Sequence, residues 1–164
     1  MLQLPPAPNW SGLHPLLTHF PIVLFLLLPL LLILAGVSRK NTNHAFLGAA
    51  LVVMLMATAF LYLTYSTGIA RATAFENNPA AASAITHHRA LGGYALSAFT
   101  VATGLFSVAL LVRRKLKLED MRDLTPWIPV GFFVFYILGV FWLILTAHEG
   151  AKLSHTLLLS HAVQ

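Results

Sequence analysis

Four long apolar runs constrain the fold of this chain more than any other feature of its sequence. Each run is close to the ~20 residues that an α-helix needs to cross a hydrocarbon core about 30 Å thick. Only 9% of the residues are charged, whereas soluble domains carry about 25%. The sequence therefore predicts an all-α fold, an integral membrane four-helix bundle that forms one transmembrane domain over residues 1–164. The expected helices cover approximately 15–37, 45–66, 88–112 and 127–148.

The basic residues predict how this bundle is oriented. Seven of the ten lie in the two connections that follow the first and third runs: Arg39, Lys40, Arg113, Arg114, Lys115, Lys117 and Arg122. The other three, Arg71, Arg89 and Lys152, lie on the opposite side. Short loops rich in Lys and Arg stay in the cytoplasm, so we expect an N-out, C-out membrane protein, with both termini in the periplasm if the cell is Gram-negative. This distribution also accounts for the net charge of +5 without nucleic acid as a partner.

Histidines are concentrated on the outer side of the predicted bundle. Only His44 falls on the cytoplasmic side, and the other seven come from the first, third and fourth helices and the tail: His14, His19, His87, His88, His148, His155 and His161. Ionisable groups within spanning segments are rare and usually functional, and bundles build cofactor sites from facing helices. The alternative is a layer of hydrogen-bonding histidines that closes the bundle and binds nothing.

The absence of cysteine narrows the cofactors that these histidines can bind. It excludes thiolate-bound zinc, iron–sulfur clusters bound by this chain and haem attached through C-x-x-C-H. Two imidazoles on opposed helices can bind haem iron from both sides, which predicts one or two molecules of non-covalent haem b. We expect His19 and His88 to be the first pair of axial ligands. The second candidate pair is His148 with either His14 or His155.

The residues around His88 fit the same hypothesis. Arg89 is a cation that can pair with haem propionates, although an interfacial cation needs no ligand to explain it. Gly92 and Gly93 follow within about a turn and leave room for a flat macrocycle, although glycines also permit close helix contacts. A site made of histidine alone for iron, copper or zinc remains open as well.

Two other classes of protein are disfavoured. His148-Glu149 begins like the zinc motif H-E-x-x-H, but Lys152 stands at the position of its second histidine, which excludes a zinc protease of that type. The spanning segments hold no carboxylate for a proton or cation pathway and show no internal repeat, which argues against a transporter.

Three motifs resemble those of a bacterial family of small four-helix membrane proteins of unassigned function. "LHPLLTHFPIVL" is similar to that family's H-P-x-x-x-H-F-P-I-x-L opening, "HHRALGG" to its H-R-x-x-G, and "AHEGAKLSH" to its H-x-G-G-x-L-x-H, with Ala151 replacing the second glycine. Family members occur alone or fused to periplasmic haem c or Rieske modules, and the resemblance thereby implies electron transfer. It selects five of the histidines named above: His14, His19, His88, His148 and His155.

The sequence therefore predicts a haem b-binding subunit for membrane electron transfer, without a substrate chemistry of its own. Its haem would lie near the periplasmic face and pass electrons between quinol, or a membrane complex, and a periplasmic cytochrome. The alternatives are a structural or assembly subunit of a membrane complex with no cofactor, and a transition-metal site made of histidine alone.

Overall fold

Four long helices make up nearly all of the structure. The computed structural model describes residues 9–38, 40–75, 79–117 and 127–162. The helices are α1 (His14–Val37), α2 (Lys40–Ala72), α3 (Pro79–Lys115) and α4 (Trp127–Ala162), and short 3₁₀ segments lie at Trp10–Leu13 and Thr73–Phe75. All four helices are long and apolar enough to cross a membrane. The prediction of an all-α membrane four-helix bundle is confirmed.

Three of the helices extend beyond the predicted bounds. Helix α2 continues to Ala72, α3 begins at Pro79, and α4 runs through Gly150 to Ala162. Hydropathy marks the stretch that lies in hydrocarbon, whereas a helix can continue into the headgroup layer and beyond. His88 consequently lies in the third turn of α3 and does not open that helix.

The chain folds as two helical hairpins, α1 with α2 and α3 with α4, and the hairpins meet along α2 and α3. Because successive helices run in opposite directions, α1 and α3 begin at the same end of the bundle at which α2 and α4 finish. His14, His19, His87, His88, His148 and His155 all belong to this end, which we call the histidine end. Large apolar side chains such as Leu26, Val52 and Ile137 are exposed along the helices, as a surface in contact with lipid requires.

Two prolines inside α1 tie this helix to its neighbours. A proline has no N–H, so Pro21 and Pro29 leave the carbonyl groups of Leu17 and Phe25 without their helical donors. The Thr64 hydroxyl of α2 donates to the Leu17 carbonyl at 3.1 Å. The Tyr136 hydroxyl of α4 donates to the Phe25 carbonyl at 2.6 Å. Side chains of neighbouring helices thus satisfy both groups, as burial in a membrane demands.

An aromatic cluster fills the middle of the bundle below the histidine end. The rings of Phe25 and Phe99 stack with centroids 3.5 Å apart, and Tyr136 packs edge-on against Phe99. Gly139 lets Phe99 approach α4, because a Cβ atom at this position would lie 3.0 Å from the ring. The cluster brings α1, α3 and α4 together at one level.

We expect Tyr136→Phe to lower the free energy of unfolding in detergent by about 1–3 kcal/mol, because the Phe25 carbonyl would remain buried without a donor. Denaturant titration followed by circular dichroism measures this change. Pro29 is exposed, so Pro29→Ala provides a matched background in which the N–H of residue 29 can donate to the same carbonyl. In the Pro29→Ala background, Tyr136→Phe should lower the free energy of unfolding by clearly less. An equal loss of unfolding free energy in both backgrounds would show that the hydrogen bond to the Phe25 carbonyl does not account for the destabilisation.

Candidate functional site: a cavity between two histidines

A cavity of about 760 Å³ lies at the histidine end and is lined by all four helices. Ligand sites in proteins commonly measure about 300–1,000 Å³, so the volume suits a cofactor. Pro21, Leu61 and Ala95 are buried residues of its lining, and its charged residues are Arg71 and Arg89. No carboxylate lines it among the described residues. The cavity therefore combines an apolar interior with a cationic rim.

The backbone of α2 orients the imidazole of His14. Its Nδ1 atom lies 2.9 Å from the Thr64 carbonyl and 3.4 Å from the Thr67 hydroxyl. A carbonyl oxygen only accepts hydrogen bonds, so Nδ1 carries the proton in the neutral ring and Nε2 keeps its lone pair. Histidines that bind metals are usually oriented in this way by a second hydrogen bond. His14 thus has the form of a prepared ligand.

His88 of α3 lies close to His14, and both rings line the cavity. The centroids of the two rings are 6.5 Å apart and their planes are perpendicular. The backbone of Thr146 lies near the His88 ring, yet no group in the described parts of the chain meets hydrogen-bond geometry with its buried Nδ1 atom. Most buried polar atoms in proteins have a partner. The Nδ1 atom of His88 therefore has no well-formed hydrogen bond among the described residues, and the Thr146 backbone is its candidate partner.

Each of these two rings lies against a glycine on the second helix of its own hairpin. A Cβ atom on Gly68 of α2 would lie 2.8 Å from Cε1 of His14, and one on Gly150 of α4 would lie 2.9 Å from Cε1 of His88. Contacts under 3.0 Å are essentially never seen for real Cβ atoms. Both glycines are therefore needed to place the rings where they are.

The structure brings His14 rather than His19 opposite His88. His19 lies at the edge of the cavity, is exposed, and has its Nδ1 atom 2.9 Å from the Pro15 carbonyl of its own helix. His148 and His155 are exposed on α4 and do not line the cavity. Of the five histidines that the sequence analysis selected, two face each other and a third lies at the edge of the cavity.

The other predicted residues have different surroundings. Arg89 is exposed and lines the cavity. Gly92 also lines the cavity, but a Cβ atom on Gly92 or Gly93 would lie 3.5 Å from the nearest atom of the Tyr65 side chain. This is an ordinary contact distance, so a Cβ atom would fit beside Tyr65 of α2 at either position, and the packing does not require glycine there.

Sequence reasoning missed the site residues of α2 and the role of Gly150. Gly150 stands inside the motif "AHEGAKLSH", two residues after His148, and it lines the cavity whereas His148 does not. Gly68 and Thr64 have no motif of their own. The feature that could have found them is a pairing within each hairpin, in which a histidine in the first half of one helix is matched by a glycine in the second half of the next.

The described residues contain no group of three or more His, Asp or Glu side chains that could hold a metal ion. A site with three or four protein ligands, as zinc prefers, is not formed there. Two opposed imidazoles suit a metal whose other ligands come from a planar cofactor.

Comparison with known proteins adds no evidence on function, since no family model, no curated protein and no solved structure matches the chain.

Proposed function

We propose that the protein binds one haem b between His14 and His88 and acts as an electron-transfer subunit in the bacterial inner membrane. The observation that carries the proposal is the pair of rings 6.5 Å apart across a cavity of about 760 Å³. With a metal–nitrogen bond of ~2.0–2.1 Å, two imidazoles that bind one metal from opposite sides have centroids about 6.4 Å apart. Histidine is a common axial ligand of haem.

The chain's own residues supply the ligands, their orientation and the charge. His14 and His88 would bind the iron, and the Thr64 carbonyl would hold His14 in the correct tautomer. The His88 ring lies against Gly150 of α4, near the Thr146 backbone. A hydrogen bond from Nδ1 to that backbone would leave Nε2 of His88 for the iron, as at His14. A bound haem would supply one-electron redox chemistry. The proposal is for a single haem, since His148 and His155 do not line the cavity.

The surrounding membrane and the partners are part of the same proposal. The distribution of basic residues favours a periplasmic histidine end with both termini outside. Electrons would then pass between quinol, or a membrane complex, and a periplasmic cytochrome. Membership of the four-helix family whose motifs this chain resembles also belongs to the proposal.

The test is to express the protein in haem-replete bacterial cells and purify it in detergent. We expect a reduced-minus-oxidised spectrum with the α-band of a b-type haem, and a pyridine haemochrome ratio near one haem per chain. A folded protein that shows no such band, and that takes up no added haem b, would overturn the proposal. That result would favour the structural subunit without a cofactor.

Arg71 and Arg89 provide a prediction about the redox potential. Both are exposed cations that line the cavity, and a positive charge favours the more electron-rich state of a nearby haem. Arg71→Gln and Arg89→Gln should each lower the midpoint potential, by on the order of 30 mV for a charge about 10 Å away in a partly aqueous medium. Spectroelectrochemical titration measures this shift, and Arg114→Gln at the opposite end is the control. A rise in potential, or equal shifts in all three variants, would contradict the assignment.

A further inference from the structure

The cavity has an open side between α1 and α4, within the candidate membrane spans of these two helices. These two helices have little backbone contact with each other, whereas each packs closely within its own hairpin. The exposed lining residues of the spanning segments reflect this arrangement. Pro15 and His19 of α1 and Ala147 and Ala151 of α4 are exposed, whereas the exposed lining residues of α2 and α3 are the arginines at the rim. We call this side the α1–α4 opening.

Below the opening, the bundle is closed. The Tyr136 hydroxyl bonds to the Phe25 carbonyl and joins α4 to α1, and Phe99 packs against both rings. A molecule that enters through the opening therefore reaches the histidine cavity and no farther. Since this part of the chain lies in candidate membrane spans, such a molecule would come from the lipid phase.

His19 gives the opening a specific polar group. Its Nδ1 atom lies 2.9 Å from the Pro15 carbonyl, and because a carbonyl only accepts, the neutral ring has its proton on Nδ1 and a free lone pair on Nε2. The neighbouring Thr18 hydroxyl also donates to Pro15, at 2.8 Å. The opening thus offers a hydrogen-bond acceptor beside the otherwise apolar residues Ile22, Leu143 and Ala147.

We propose that the α1–α4 opening binds a lipid-soluble quinol, whose hydroxyl group donates a hydrogen bond to Nε2 of His19. This inference rests on the proposed function, since the quinol would be the electron donor to the haem in the same cavity. A phospholipid acyl chain also fits an apolar opening, but it has no donor for His19. A quinol combines an apolar ring and tail with hydroxyl donors, which matches both features.

The experiment uses the purified full-length chain in lipid nanodiscs and a decyl-substituted benzoquinol kept reduced under nitrogen. Isothermal titration calorimetry measures its Kd, and the haem spectrum is recorded on the same samples. His19→Ala removes the acceptor, and Ala147→Leu adds bulk to the exposed side of the opening. His148→Ala is the matched control, because it removes an exposed histidine at the same end that does not line the cavity.

We expect saturable binding that is at least roughly tenfold weaker in His19→Ala, weaker in Ala147→Leu and unchanged in His148→Ala. The oxidised quinone should bind less tightly than the quinol, because it has no hydroxyl to donate. His19→Ala and His148→Ala should keep the haem band.

The two proposals fail in distinguishable ways. A wild-type protein that carries haem but shows no saturable quinol binding, or binding that neither His19→Ala nor Ala147→Leu weakens, overturns the quinol site and leaves the haem proposal intact. A protein that binds quinol through His19 but no haem overturns the proposed function and supports this site. Loss of the haem band in His19→Ala overturns both assignments, because His19 would then be the axial ligand.

Discussion

His14→Ala and His88→Ala should each abolish the low-spin b-haem spectrum, with haem content falling at least about tenfold relative to wild type. Each substitution removes one of two iron ligands. The remaining histidine could at most support weak five-coordinate binding. The measurement is the haem-to-protein ratio after expression in haem-replete cells, with circular dichroism to confirm that each variant is helical.

The matched controls are other histidines of the same end. His19→Ala and His148→Ala each remove an exposed imidazole and should keep the haem-to-protein ratio of the wild type. If His14→Ala retains full haem content while His19→Ala loses it, the axial pair is His19 with His88. If both His14→Ala and His88→Ala retain full haem content, neither is an essential ligand.

Gly68→Val and Gly150→Val should have the second largest effect. The Cβ atom alone would lie 2.8 Å from His14 or 2.9 Å from His88, so the ring must leave its position and its hydrogen bond or its alignment is lost. We expect haem content to fall several-fold in each variant, because binding depends on ligand atoms held within about 0.5 Å of the required geometry. The affinity of the purified apoprotein for added haem b is the quantity to measure.

Gly48 and Gly104 provide matched controls within the same fold, since a Cβ atom at either position has no neighbour within 4 Å. Gly48→Val and Gly104→Val make the same chemical change in α2 and α3 and should leave haem affinity unaltered. An equal loss in all four variants would show that valine disturbs the helices in general. Unchanged affinity in Gly68→Val and Gly150→Val would show that the glycines do not position the histidines.

The architecture could be predicted from the sequence because the bilayer leaves few choices. Apolar runs of about 20 residues with almost no charge can only be spanning helices in an all-helical chain. Helix ends were less predictable. Hydropathy does not show where α4 ends after Gly150. Beyond the hydrocarbon core, backbone hydrogen bonds and the helix propensity of the residues decide where the helix ends, and contact with lipid no longer does.

The histidine end was predictable as a region but not as a set of contacts. His14 and His19 are five residues apart, about 140° around a helix, so the sequence implied that they point in different directions. Which of them faces the interior depends on how α2 docks on α1. Thr64 sets that docking, because its hydroxyl bonds to the Leu17 carbonyl and its own carbonyl bonds to His14.

The remaining differences between the predicted and the observed site arise from contacts between residues that are distant in sequence. Gly92 and Gly93 stand beside His88 in the chain, but the Tyr65 ring of α2 lies against them. The glycine that accommodates His88 is Gly150, which comes from α4. Proximity in sequence identifies neighbours along one helix, whereas a site between helices is formed by the residues that the packing brings across.

Electron paramagnetic resonance of the ferric protein tests most directly whether one haem lies between His14 and His88. The two ring planes are perpendicular, and perpendicular axial imidazoles give ferric haem a strongly anisotropic low-spin signal. We predict this signal in the wild type and its replacement by a high-spin signal, or its loss, in His14→Ala and His88→Ala. A high-spin signal from the wild-type haem protein, or a low-spin signal that survives both substitutions, would contradict the account.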